Sequence, residues 1–128
     1  MKFINDKRFE NAANTGIPIP SGNTVTVEIP VSSNSGFLHK VVVQQASGTS
    51  VGFTVDVLNR NVTTPASSVN ISKIIPSQTG TSGSAMTWSS DIGVPFRAPN
   101  NKIYLRITLG SASNSIWDAS VIWRTVDS

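Results

Sequence analysis

The side chains that could carry out chemistry are few in this chain of 128 residues, and they are widely spaced. His39 is the only histidine, and no cysteine is present. A serine nucleophile needs a neighbouring base, most often a histidine, and thiolate or zinc–thiolate sites need cysteine. His39 lies in an apolar stretch next to Lys40. We therefore interpret His39 as a packing residue of a strand and not as a catalytic base.

Carboxylate pairs that could cleave a glycosidic bond are equally hard to find. Asp56 and Asp118 alternate with apolar neighbours, so we expect them to face away from the core, either in solvent or paired with Arg106 and Arg124. No Asp-x-Asp-x-Asp loop could hold calcium, and no lysine follows the glycine-rich stretch 80–83 to contact phosphate. We therefore expect a protein that is not an enzyme and has no catalytic residue, metal or cofactor.

The aromatic side chains are better candidates for a function in binding. Trp117 and Trp123 fall on the apolar side of an alternating segment, which predicts that both lie in the core. Trp88 lies among serine and threonine residues, and Tyr104 falls on the polar side of its alternating segment. Either ring could stack on a sugar, pack within the domain, with Trp88 covering one end of the sandwich, or pack at a subunit interface. Trp88 and Tyr104 are therefore candidate partner-binding residues.

The segments that would position these side chains alternate between apolar and polar residues with a period of two. The pattern predicts seven or eight strands, at 24–30, 38–45, 51–57, 102–109 and 117–124, with weaker ones at 70–75 and 85–89. Glycine, proline and asparagine separate them, and the only helix that the pattern allows is a short one at 6–14. We predict an all-β fold, a two-sheet antiparallel sandwich of which the jelly roll is one form.

The first 20 residues differ in character from the rest of the chain. They hold five of the 17 charged residues, lack alternation and end in Ile17-Pro18-Ile19-Pro20. We therefore predict an N-terminal arm over residues 1–20 and a β-sandwich domain over residues 21–128. Such an arm would pack either on its own domain or on a neighbouring molecule.

Charge and hydropathy exclude several classes of partner. Charged residues make up only 13% of the chain, about half of the usual share. The net charge is +3, but the basic residues are scattered, so we expect no nucleic-acid partner. No segment approaches the roughly 20 apolar residues of a membrane span, and residues 1–8 contain no apolar run of signal-peptide length. We therefore expect no membrane association and synthesis in a cytoplasm.

Taken together, these features resemble the small virion proteins of tailed bacteriophages, and among them most the capsid decoration, or cement, proteins. The resemblance covers the character of the whole chain, and it is strongest in segments 52–58, 102–107 and 119–123. It implies a protein of the capsid surface that binds the major capsid protein, or another virion protein, and stabilises the assembled shell. Such proteins share no catalytic signature, so the resemblance assigns no catalytic residue.

The resemblance also implies how the protein would bind. The arm would bridge neighbouring subunits, with Phe3, Ile4 and Phe9 as apolar anchors. A homo-oligomer follows from the low charge and the unplaced aromatic residues, with a trimer favoured although dimers are commoner. The alternative is a carbohydrate-binding module, or the receptor-binding tip domain of a phage fibre, with Trp88 or Tyr104 against a glycan. A subunit of a non-viral assembly would share the same features.

Overall fold

The computed structural model of the protein describes residues 9–19, 23–62 and 71–125. These ranges contain two antiparallel four-stranded sheets that pack face to face, which confirms the predicted all-β sandwich. The strands are β1 (Phe9–Ile19), β2 (Thr24–Pro30), β3 (Ser35–Ser47), β4 (Phe53–Leu58), β5 (Gln78–Gly80), β6 (Met86–Arg97), β7 (Lys102–Leu109) and β8 (Ser115–Thr125).

The order of the strands is that of a jelly roll. The first sheet has the order β1-β8-β3-β6, and the second sheet has the order β2-β7-β4-β5. Only β4 and β5 follow each other within one sheet, and every other connection crosses to the opposite sheet. An eight-stranded double sheet wound in this way is a jelly roll. The two ends of the chain are thereby brought together, because β1 pairs with β8.

The inner faces of the two sheets form a single apolar core, as the alternating pattern predicts. Trp117 and Trp123 both lie in this core, which confirms the prediction for them. The Trp117 indole N–H donates to Ser115 Oγ at 2.8 Å, and its ring meets the Phe53 ring edge to face at 4.7 Å. The aliphatic residues of this core include Val27, Ile29, Leu38, Val41, Val43, Val55, Val57, Ile103, Leu105, Ile107 and Val121.

The predicted arm needs correction, because most of it is a strand of the sandwich. Residues 9–19 form β1, which pairs with β8 from Phe9 opposite Arg124 to Ile19 opposite Ser115. The register shifts between Asn14 and Ile17. Before this bulge the polar Glu10 and Asn14 lie opposite the buried Trp123 and Ala119, so the strand shows no apolar alternation. The predicted short helix is likewise a strand over residues 9–14. The remainder of the arm, residues 1–8 and 20, lies outside the described residues.

Candidate binding surface

Tyr104, one of the predicted binding residues, is not available to a partner. It points outward from the second sheet as predicted, but it is only 4% exposed and packs with Leu58 and Val62. The chain after β4 is held close to this face, where the Asn59 amide N–H donates to the Ser72 carbonyl at 3.0 Å. Of the interpretations open for Tyr104, the structure therefore favours a packed ring, because Leu58 of the neighbouring strand and Val62 of the segment after it cover the outward face.

Trp88, the other predicted stacking residue, lies at the margin of the core. It is half-buried on β6, opposite Val41 of β3, and packs against the main apolar cluster. Trp88 and Tyr104 belong to different sheets, so the fold does not combine them into one groove. The candidate anchors Phe3 and Ile4 lie outside the described residues.

The acidic residues are also separated by the fold. Asp56, on the second sheet, pairs with Lys73 at 3.6 Å and accepts a hydrogen bond from Ser77. Asp118, on the first sheet, accepts a hydrogen bond from the Gly16 amide N–H at 3.0 Å. Among the described residues neither aspartate forms an ion pair with Arg106 or Arg124, the pairing that was one of the two alternatives. Because the two aspartates lie on different sheets, they do not form a catalytic carboxylate pair.

A cluster of aromatic, aliphatic and basic side chains occupies one corner of the outer face of the first sheet. We call it the corner cluster and define it as Phe9, Phe37, His39, Ile92 and Arg124. The Arg124 guanidinium lies over the Phe37 ring, 4.1 Å from its centroid. The Phe9 ring meets the His39 ring edge to face at 4.9 Å. Phe9 is 60% exposed and Ile92 83% exposed, so the cluster presents apolar surface to solvent.

His39 organises the corner cluster through both of its ring nitrogens. Nδ1 lies 2.8 Å from the Ser90 carbonyl oxygen, which can only accept a hydrogen bond, so Nδ1 is the donor. Nε2 accepts a hydrogen bond from Arg124 Nε at 3.3 Å. The side chain is buried, which agrees with its interpretation as a packing residue. Neither nitrogen is free to act as a base toward a substrate in this arrangement.

An irregularity in the sheet places these side chains together. The pairing of β3 shifts between Leu38 and Lys40 relative to both of its neighbours, which leaves His39 as an extra residue. On the β6 side, residues 90–93 bulge outward over His39, with Ile92 exposed. Arg124 holds this bulge by donating from Nη2 to the Ile92 carbonyl at 3.3 Å. Periodicity did not predict the exposure of Ile92, because bulges leave no period-two signal.

The residues around Ser50 have the spacing of a nucleophile turn. Residues 48–52 read Gly-Thr-Ser-Val-Gly, which fits Gly-x-Ser-x-Gly around Ser50. In hydrolases the serine stands between a strand and a helix, whereas Ser50 lies in the loop between β3 and β4. About 26 Å of extended strand separates His39 from Ser47 at the end of β3. The motif therefore lacks both the turn and the base that hydrolysis requires.

Comparison with known proteins adds no assignment to this geometry. No protein-family model matches the chain, and no curated protein matches it in sequence. The described residues contain no group of three or more acidic or histidine side chains placed to hold a metal ion. Within the same ranges, no helix has the length and apolar character needed to cross a membrane.

Proposed function

We propose that the protein is a non-enzymatic structural protein of a virion that decorates the capsid surface by binding the assembled shell. The observation that carries the proposal is the exposed apolar corner on a jelly-roll domain. Jelly rolls recur in viral capsid proteins, and exposed apolar patches mark interaction surfaces. Phe9 and Ile92 supply the exposed side chains, and Arg124 adds a planar donor of the kind enriched at interfaces.

The position of the corner cluster supports a role for the N-terminal residues in the same interaction. Phe9 is both a member of the cluster and the first residue of β1. Residues 1–8, which include the predicted anchors Phe3 and Ile4, therefore join the domain at the exposed apolar surface. In the proposal, these anchors and the corner cluster bind adjacent parts of the major capsid protein, or of another virion protein.

The structure changes the argument for a trimer. That preference depended on aromatic residues without a place in the domain, but Tyr104, Trp117 and Trp123 are buried within one subunit. A homo-oligomer remains part of the proposal, with no aromatic residue that specifically favours three-fold symmetry. The glycan-binding alternative also loses Tyr104, one of the two rings on which it relied.

The proposal is tested by locating the protein in virus particles. Particles are induced from the source strain, banded on a density gradient and probed with an antibody against the recombinant protein. We expect the chain to band with the particles, and immunogold to label the heads, because a decoration protein binds the outer shell. Free protein at the top of the gradient with unlabelled particles would overturn the proposal. Label confined to tails or fibres would instead favour the receptor-binding alternative.

A further inference from the structure

Ion pairs neutralise most of the charges on the outer face of the second sheet, although Arg106 has no such pair among the described residues. On the second sheet, Lys102 pairs with Glu28 at 2.6 Å, and Lys73 pairs with Asp56 at 3.6 Å. The hydrogen bond to Glu28, together with the attraction of its carboxylate, raises the pKa of Lys102 above its usual value. On the first sheet, Lys40 and Asp118 form no ion pair with any residue that the structure describes. The first sheet therefore presents unpaired charges of both signs.

These two charges cannot pair within one molecule. Lys40 lies opposite Ile122 of β8, whereas Asp118 lies opposite Gln44 of β3. Four residues of extended strand, or about 13 Å, thus separate the two side chains along the sheet. A partner that neutralises both charges must supply an acidic group at one place and a basic group about 13 Å away.

Small side chains occupy the space between the charges. Ala13, Ser120 and Val42 lie side by side on β1, β8 and β3, midway between Asp118 and Ile122. Together with Asp118 and Gln44 they line a shallow depression that opens to the surface. Small residues leave the backbone of this row accessible to a second packed sheet, which lies about 10 Å away in sheet-on-sheet packing.

We propose that a second copy of this chain packs on the outer face of the first sheet, related by a two-fold axis that passes over Ser120. The axis runs perpendicular to the strands, in the plane between the two sheets. The residues that lie beside Asp118 on neighbouring strands of one copy therefore face the residues that lie beside Ile122 in the other copy. Lys40 then lies over Gln44 of the second copy, and it is offset sideways from the Asp118 of that copy by one strand, about 4.8 Å. Each interface contains this charge pair twice, because a two-fold contact is self-complementary.

The same axis also brings apolar residues at the two ends of the face together. Ile116, which is 40% exposed, lies two residues before Asp118 on the outward side of β8. The axis places it against Arg124 and Phe37 of the second copy, beside the exposed ring of Phe9. Ile116 of each copy therefore packs against the corner cluster of the other copy.

The size of this face suits a dimer. From Ile116 to Arg124 the strand spans about 26 Å, and four strands span about 19 Å, which gives a flat footprint of roughly 500 Å² per copy. Two copies would bury about 1,000 Å² in total, the lower bound for a specific interface. The inference is drawn from this chain alone, since the charges and apolar ends are complementary to the chain itself. The interface covers the corner cluster that the proposed function assigns to the shell, so the dimer is the form in solution and separates when the protein binds the shell.

Charge reversal tests the interface through the oligomeric mass of the full chain. Wild type is expected to sediment as a dimer at about 100 µM. Lys40→Glu would place a carboxylate near Asp118 of the second copy, and Gln44→Lys would place a cation over Lys40. We expect each variant to raise the dimer Kd at least about tenfold, because like charges then face each other across the interface. Gln44→Lys preserves the hydrogen bond between Asp118 and Gly16.

Mixing the two variants gives the decisive measurement. In a mixed dimer, the carboxylate introduced by Lys40→Glu in one copy lies over the ammonium group introduced by Gln44→Lys in the other, so opposite charges face each other again. We expect an equimolar mixture, with each variant carrying a different fluorophore, to show energy transfer that neither variant shows with itself. Arg60→Glu, a reversal at an exposed site off the first sheet, should leave the wild-type dimer Kd unchanged.

Three results would overturn this interface. They are a monomeric wild type at about 100 µM, an oligomer whose Kd neither charge reversal changes, and a mixture that shows no energy transfer although both variants are folded. Thermal unfolding of each variant establishes that it is folded. Dimerisation without particle binding would refute the proposed function alone. A wild type that binds particles but is monomeric in solution at about 100 µM would refute the interface alone.

Discussion

Gly93 is the residue on which the geometry of the corner cluster depends most directly. Its φ of 84° lies in the left-handed region, which residues with a Cβ rarely adopt. A Cβ at this position would also lie 2.8 Å from His39 Nε2 and 2.8 Å from the Phe37 Cβ. The absence of a side chain therefore allows the bulge of β6 to close over His39 and to keep its hydrogen bond with Ser90.

Two glycine substitutions separate these effects on stability. Gly83→Ala introduces the same backbone strain, because its φ is 82°, but its Cβ would meet nothing within 4 Å. We expect it to cost about 1–2 kcal/mol of unfolding free energy. Gly93→Ala should cost a further 1–3 kcal/mol or so, because it also forces apart a packed contact. Urea unfolding of both variants measures the difference, and equal losses would contradict the packing argument.

At the scale of the elements, bulges and prolines restrict how the sandwich can bind. Among the described strands, β1 and β6 form the edges of the first sheet. β1 contains a bulge before Ile17 and then Pro18, and β6 contains the bulge at 90–93 and then Pro95. Bulges and prolines at an edge prevent the addition of another strand. A partner is therefore expected to bind the outer face of this sheet and not its edges.

The assignment of β1 to the sandwich determines what an N-terminal deletion does. Removal of residues 2–8 leaves β1 intact, so we expect a folded domain that no longer binds the shell. Removal of residues 2–15 also deletes the pairing of Phe9–Asn14 with β8 and uncovers Trp123 and Val121. We expect the longer deletion to lower the free energy of unfolding by several kcal/mol. This is a large share of the total, which is about 5–15 kcal/mol for a typical domain.

Urea unfolding and particle binding of both deletions check this prediction. The intact chain is the reference for each measurement. Equal stability of the two deletions would contradict the role of β1 as a strand of the sandwich. Normal particle binding by the chain without residues 2–8 would contradict the role of Phe3 and Ile4 as anchors.

At the scale of the whole molecule, the jelly-roll connections make the two sheets interdependent. Almost every connection crosses between the sheets, and Trp117 of the first sheet packs against Phe53 of the second. Neither sheet can bury its inner face without the other. Because most of the strand pairs join segments that are distant in sequence, folding is expected on the slow side, in milliseconds to seconds.

Cooperativity is the measurable consequence of this interdependence. We expect one unfolding transition in urea, with tryptophan fluorescence and far-ultraviolet circular dichroism changing at the same midpoint. Trp117→Ala should shift both midpoints together, since it removes packing between the sheets at a cost of about 3–5 kcal/mol. Separate midpoints for the two signals would show that one sheet persists without the other.

Properties that depend on local alternation could be predicted from the sequence. A two-residue period indicates which side chains lie on the same face of a strand. This period predicted the sandwich, the strands around 24–30 and 102–109, and the burial of Trp117 and Trp123. It also predicted that Tyr104 points away from the core. None of these properties requires knowledge of which strands are neighbours.

Properties that depend on contacts between distant segments were decided by the tertiary structure alone. Tyr104 is buried because Leu58 and Val62 cover it, and the residues 9–14 are a strand because β8 pairs with them. The corner cluster joins Phe9, His39 and Arg124, which come from three different strands and meet only at a bulge. Alternation in the sequence indicates on which face of the sheet a side chain lies. Which other residues pack on that face depends on how the strands are arranged in the fold.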